Sequence, residues 1–285
     1  MKPALLLCTD LDRTLMPNGE PPESPLARPL FRRLAERPDV TLAYVSGRHL
    51  GLLHEAIETY DLPVPDYAIG DVGTTLYAIK DGQWSASPEW SAEIAPDWAG
   101  LTHAELAEAL EGFRELRLQE PAKQNTFKLS YYVPADIDVQ GLRAAVSARL
   151  ASLGVCASLI WSVDDLTGDG LFDILPERAT KLHAIEFLAR LLGVNPANML
   201  FAGDSGNDLP VLASGIPSVL VHNARTDVRR EALAQAESTG QNGHLYLAEG
   251  GMFGMNGNYA AGIMEGLAHF HPEFTDWLNE ALKGL

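Results

Sequence analysis

Short apolar runs alternate with amphipathic stretches through the first quarter of the chain. ALLLCT is followed by a Pro-rich loop from Pro17 to Pro25, a helical stretch to Arg37, TLAYVS, a second helical stretch to Tyr60, and DYAIGDVGTTLYAI. Strand runs separated by helical ones predict βαβ units, hence a parallel sheet with right-handed crossovers. Asp81 and Gly82, after Ile79, mark a hairpin or an exit from that sheet. From Trp84 to Gly170 the pattern changes. A helical stretch from Thr102 to Phe113, the alternating strand FKLSYYV, a helix from Val139 to Leu153 and the strand ASLIWSV predict an inserted α+β domain. At LFDILPE the first pattern is expected to resume, with a helix from Thr180, the strand MLFAGD, a helix through Leu212, PSVLVH and a helix from Asp227. A Gly-rich stretch runs from Gly240 to Gly262, and a helical tail follows in which Trp277 and Leu278 are the expected buried contacts. The chain carries no internal repeat and no low-complexity tract. The expected fold is α/β, a doubly wound parallel sheet formed by 1–82 and 171–285, with an α+β domain inserted at 83–170.

Composition narrows what this fold can do. With 285 residues, 46% of them hydrophobic and 21% charged, the chain can bury a substantial core and is read as two soluble domains. A formal net charge of −17 repels nucleic acid and anionic membrane at long range, which argues against both as partners. A protein this acidic that handles phosphate must gather positive charge locally. Cys8 and Cys156 lie far apart in apolar runs, which suits small buried hydrophobes in a reducing compartment better than a disulfide. The amino terminus MKPALLLCTD has too short an apolar stretch for a signal peptide, and no later run approaches the ~20 residues of a membrane span. A cytoplasmic location is the expectation.

Candidate chemistry sits where the strands end. In LLLCTDLDRT an apolar run breaks off into Asp10 and Asp12, whose i, i+2 spacing points both carboxylates the same way in extended chain. Either this is an Asp-rich turn, or a cation and a division of acid and nucleophile roles justify the pair. In YVSGRH, Ser46, Gly47 and Arg48 follow a strand directly and offer a hydroxyl, a flexible backbone and a bidentate cation for a phosphoryl group. Ser46 would serve equally as a helix N-cap. Lys181 stands in the first turn of a predicted helix, where the macrodipole disfavours a cation, so it is either a solvated surface lysine or a neutraliser of phosphate and carboxylate charge. In FAGDSGNDLPVL, Asp204 and Asp208 straddle a turn that contains Asn207 and offer the oxygen ligands that Mg²⁺ prefers. The same turn reads alternatively as a capping loop. The histidines, among them the His49 and His54 pair and the His269 and His271 pair, show no metal-ligand spacing and are expected in surface or packing roles.

Taken in order, Asp-x-Asp, Ser-Gly-Arg, Lys and Asp-x-x-x-Asp at successive strand ends resemble the haloacid dehalogenase superfamily, whose fold is a Rossmann-like sheet bearing these motifs. The position of the insertion resembles the large α+β cap of the Cof-type group. GDVGTTLY, KLSYYVP, DILPERATK, GDSGND and NYAAGIMEGLAHF are most similar to the sucrose-phosphate phosphatase branch. Two features depart from that branch: RATK stands where a glycine more often precedes the lysine, and the loop GGMFGMNGN is longer. The resemblance implies a Mg²⁺-dependent phosphatase in which Asp10 forms an aspartyl phosphate. Asp12 would protonate the leaving oxygen and then deprotonate water. Asp10, the Asp12 carbonyl and Asp204 would hold the metal, with Asp208 close by, and Ser46, Gly47, Lys181 and Asn207 would hold the phosphate. Arg48 would contact either substrate or the Asp204–Asp208 loop. In the cap, Lys128 and Tyr131 are the implied sugar contacts, with Trp84, Trp90, Trp98 and Trp161 to be examined beside them. Sucrose 6-phosphate is the leading substrate, ahead of mannosylfructose, glucosylglycerol and trehalose phosphates. Association with the synthase that makes the substrate is a further implied partnership. A phosphomutase and a non-catalytic sugar-phosphate binder are the alternative functions.

Overall fold

The computed structural model describes residues 5–163 and 167–285; the first four residues of the amino-terminal stretch read above lie outside it. Its strands in chain order are β1 (Leu5–Thr9), β2 (Val40–Val45), β3 (Tyr67–Gly70), β4 (Thr75–Lys80), β5 (Gln83–Ala86), β6 (Arg117–Leu118), β7 (Leu129–Val133), β8 (Ala157–Val163), β9 (Gly170–Pro176), β10 (Met199–Gly203), β11 (Ser218–Leu220) and β12 (Leu245–Leu247). They form two sheets, ordered β12-β11-β10-β1-β2-β3-β4-β5 and β6-β7-β9-β8. The chain falls into two compact units, one of Met1–Gly70, Leu76–Ser85 and Lys181–Leu285, the other of Asp71–Thr75 and Ala86–Thr180.

In the first unit, β12 through β3 run parallel. Every side chain of β1 is buried, as expected of a strand covered on both faces. From β1 the chain winds outward through β2 and β3, whereas β10, β11 and β12 build the opposite side. The boundary between β1 and β10 is therefore the topological switch point, where open α/β sheets place their ligands. The helix Ala27–Ala35 buries Ala27, Leu30, Phe31 and Leu34, one helical face, in the core shared with the C-terminal helices Ala260–Phe270 and Thr275–Lys283. Leu278 is fully buried there, and the Arg37 guanidinium lies 4.6 Å over the Trp277 ring. No helix among the described residues is long and apolar enough to cross a membrane.

In the second unit, β6, β7, β9 and β8 pair antiparallel. Leu129, Tyr131 and Val133 of β7, with Phe172 and Ile174 of β9, face a core shared with Leu142, Val146 and Leu150 of the helix Val139–Ala151. Alternate positions carry Ser130 and Asp173, which are hydrogen-bonded at 2.5 Å.

Several expectations are corrected here. LFDILP does not rejoin the parallel sheet; it is β9, between β7 and β8. A short apolar run does not reveal whether its neighbours are parallel or antiparallel, although Asp173 within it is the trace of a polar face. The expected 83–170 insertion is displaced accordingly: β5 stays with the large sheet while residues through Thr180 belong to the second unit. Trp84, expected in the insertion, is in β5 and packs on His54 and Tyr77. Both cysteines are free, but only Cys8 is buried; Cys156 is exposed.

Candidate active site

Asp10 is the first residue past β1, and its N–H donates to the Ala202 carbonyl of β10 at 2.9 Å, which pins it at the switch point. The carboxylate is 5% exposed, so its charge must be met from within. Lys181, first residue of the helix Lys181–Leu192, supplies that charge: Nζ donates to Asp10 Oδ1 at 3.0 Å and to Asp208 Oδ1 at 2.7 Å. Burial opposes charge on Lys181, yet the two carboxylates outweigh it and raise its pKa. Burial pushes the Asp10 carboxyl up, Lys181 pulls it down, and Asp208 and Asp204 add to the upward push.

The turn after β10 is organised by Asp208. Its Oδ2 accepts from the N–H groups of Asp204 and Ser205, both at 3.1 Å, and from Ser205 Oγ at 3.2 Å. The carboxylate passes so close to the strand that a Cβ on Gly203 would lie 2.6 Å from Asp208 Cγ, so this position requires glycine. Asn207 Oδ1 accepts from Lys181 Nζ at 3.3 Å and from Ser205 Oγ at 2.8 Å. Asp204 is 3% exposed; burial first, and Asp208 next, push its carboxyl up to about 6. Arg13 Nε lies 3.4 Å from Asp204 Oδ2, and Thr14 Oγ1 bridges Asp10 and Asp204 at 3.5 and 3.4 Å.

Carboxylate oxygens of Asp10, Asp204 and Asp208 all lie within 4.8 Å of one another. Three hard, buried oxygen donors with one lysine among them fit a divalent cation such as Mg²⁺. They fit it unequally, because protein donors occupy both Asp208 oxygens. Asp208 therefore organises the turn while remaining in the cluster with Asp10 and Asp204, the three candidate side-chain ligands.

Ser46 follows β2, is 1% exposed, and accepts from the Arg48 N–H at 3.2 Å; it does not cap the next helix, whose N-cap is His49. Arg48 pairs with Asp12 rather than with the Asp204–Asp208 loop. Its Nε and Nη2 form a fork on Asp12, at 2.8 and 2.7 Å, and Asn18 Nδ2 adds a third donor at 2.8 Å. Burial works to raise Asp12, but these hydrogen bonds and the Arg48 charge prevail and hold its carboxyl below the usual range. Asp10 and Asp12 are thus not equivalent. One is buried and clamped by lysine, the other half-exposed and clamped by arginine.

The sequence-predicted residues of the first unit come together; those of the second are of mixed fate. Lys128 is 9% exposed, and no ion pair is recorded to it among the described residues. Tyr131 is corrected: its side chain lies in the hydrophobic core of the second unit, with its hydroxyl buried and unpartnered. Leu129, Tyr131 and Val133 share this core face by the two-residue period. Trp90 and Trp98 are fully buried, which removes them as exposed stacking surfaces, while Trp161 is half-buried and packs on the same core as Tyr131. His49 caps the helix Leu50–Thr59, and His269 stacks on Tyr246 at 4.3 Å. Sequence reasoning passed over Arg13, Thr14 and Asn18; their spacing after Asp10 gave no signal, since a tight turn rather than a periodic element presents them.

Residues 3–271 match the family model for sucrose-6F-phosphate phosphohydrolase. A HAD-like hydrolase of Nitrosococcus oceani is 54% identical over 278 residues, covering 98% of this chain and 75% of that protein. Mannosylfructose-phosphate phosphatase of Agrobacterium fabrum is 28% identical, over 95% of this chain and 98% of its own. Plant sucrose-phosphatases match at the same 28%, but this chain spans only about 60% of their length. Among solved structures, the sucrose-phosphatase of Synechocystis, determined with sucrose and phosphate, superposes with a TM-score of 0.67 at 26% identity, covering 94% of this chain and 98% of its own.

Proposed function

The chain belongs to the sucrose-6F-phosphate phosphohydrolase family of the haloacid dehalogenase superfamily, and we propose that it is a Mg²⁺-dependent phosphomonoesterase that hydrolyses a sugar phosphate, sucrose 6-phosphate first among them. The observation that carries this reading is the buried Asp10 carboxylate held on Lys181 beside Asp204, a nucleophile fixed in direction by one oxygen. Asp10 attacks phosphorus, the bond from phosphorus to the sugar oxygen breaks, and an aspartyl phosphate forms on Asp10. Asp12 gives a proton to the departing oxygen and later takes one from the water that cleaves the acyl phosphate. Arg48 favours the ionised, proton-accepting form, so donation requires Asp12 to leave the fork. Asp10, Asp204 and the Asp12 carbonyl would hold Mg²⁺, which when bound offsets negative charge on the phosphoryl oxygens. With Arg48 engaged on Asp12, phosphoryl contacts fall to Ser46, the Gly47 backbone and Lys181, with Asn207 fixing the lysine. Lys128 is the residue of the inserted unit assigned to the sugar. Association with the synthase that makes the substrate belongs to the same reading and would register as co-elution.

The test is a phosphate-release screen across sugar phosphates with and without Mg²⁺, with Asp10→Asn as control. Selective release that the control abolishes supports the proposal. Equal rates on every ester point to a general phosphatase, turnover only with a bisphosphate activator to a mutase, and tight binding without release to a binding module.

A further inference from the structure

Arg13, between Asp12 and Thr14, has φ of 58°, a left-handed conformation that costs a non-glycine residue energy and persists only where its surroundings impose it. Both of its peptide hydrogen-bonding groups are taken by asparagine side chains. The Arg13 N–H donates to Asn18 Oδ1 at 2.7 Å, and its carbonyl accepts from Asn223 Nδ2 at 2.6 Å. Asn223 Oδ1 accepts in turn from the Tyr259 N–H at 2.8 Å, where Tyr259 itself has φ of 52° and ψ of −130°. Three more bonds tie the same two segments together. Tyr259 Oη donates to the Pro21 carbonyl at 2.9 Å, and Asn256 and Asn258 donate to the Pro22 carbonyl at 2.8 and 2.9 Å. Gly19 makes room for this approach, since a Cβ there would stand 2.8 Å from Tyr259 Oη.

We propose that Asn223 is a positioning residue which, by holding the Arg13 carbonyl and the Tyr259 amide together, lets the Gly-rich segment before the helix Ala260–Phe270 set the turn that presents Asp12 and Arg13. The turn reaches the site at two points, through Asn18 on Asp12 and through Arg13 on Asp204. Displacing its backbone by a fraction of an ångström moves the acid-base carboxylate and the partner of a candidate metal ligand together. The inference rests on the phosphatase reading.

Asn223→Asp tests it, because the aspartate keeps an acceptor for the Tyr259 N–H but loses the donor to the Arg13 carbonyl. We expect kcat to fall about 10- to 100-fold with KM within about threefold of wild type and the melting temperature little changed. Combined with Tyr259→Phe, which removes only the bond from Tyr259 Oη to the Pro21 carbonyl, the losses should not multiply, since both loosen the one tie between the Gly-rich segment and the turn. Unchanged kcat in folded Asn223→Asp, or fully multiplicative losses in the double variant, overturns the proposal. Should Asn223→Asp not fold, Tyr259→Phe removes only the bond to Pro21; about threefold lower kcat is expected, and unchanged kcat overturns the proposal. Persistent turnover in Asp10→Asn would instead overturn the phosphatase reading, so the two failures are distinguishable.

Discussion

Two buried lysines show how differently the two units use charge. Lys181 is 6% exposed and bound to two carboxylates, whereas Lys128, 9% exposed, has no recorded ion pair among the described residues. The first is part of a preassembled electrostatic arrangement whose members fix one another. The second is buried without such a carboxylate pair among the described residues. Around Lys181 the unit buries charge, while around Tyr131 its counterpart buries aromatic surface. The comparison teaches that burial by itself does not identify a site. What identifies it is burial together with a closed set of charged partners.

That contrast can be broken by substitution, beginning with the largest effect. Asp10→Asn should lower phosphate release by roughly 10⁴-fold or more while circular dichroism stays native; measurable turnover close to wild type would remove Asp10 from the chemistry. Lys181→Met should cost at least about 3 kcal/mol in denaturant unfolding, because Asp10 and Asp208 are left facing each other in a buried site, and activity should vanish with it. Lys128→Met should behave in the opposite sense, with stability unchanged within about 0.5 kcal/mol and KM for the sugar phosphate raised about 10-fold or more. If both lysine variants lose stability equally, the distinction drawn between them fails.

A subtler test uses pH. The Asp204 carboxyl is pushed up to about 6, against an unfolded value near 3.9. Between these values the folded state binds more protons than the unfolded one, so metal-free stability falls as pH rises from about 4 to about 6 and does not recover above. The effect is up to about 3 kcal/mol, and added Mg²⁺ should offset it, raising the melting temperature more near pH 7.5 than near pH 5. The smallest effect belongs to Tyr131→Phe. Its hydroxyl is buried without a partner, so removal should be neutral or stabilise by up to about 1 kcal/mol, with kinetics untouched. A rise in KM in that variant would return Tyr131 to the substrate.

Much of this site was legible in the chain because each motif follows a strand, and a strand's end is marked where an apolar run gives way to polar residues. LLLCT into Asp10, VTLAYV into Ser46 and MLFAG into Asp204 all carry that mark. Arg48 was found but its partner was not: SGR states that a fork is available, not which carboxylate lies 36 residues back within its reach. Asn223 and Asn18 left no trace, since an amide that holds a backbone carbonyl looks like any loop asparagine. In the inserted unit the two-residue period of β7 was visible, yet which of Lys128 and Tyr131 faced the core depended on where the helices lie.

The sequence by itself determined the alternation of strand and helix, the strand-end placement of Asp10, Ser46 and Asp204, and the family, because these depend on local order along the chain. Only the tertiary structure decided that Lys181 spans Asp10 and Asp208, that Arg48 grips Asp12, that LFDILP belongs to the smaller sheet and that Tyr131 is core. Each of these is a contact between residues distant in sequence, and such contacts follow from the register and packing of whole elements rather than from any local pattern.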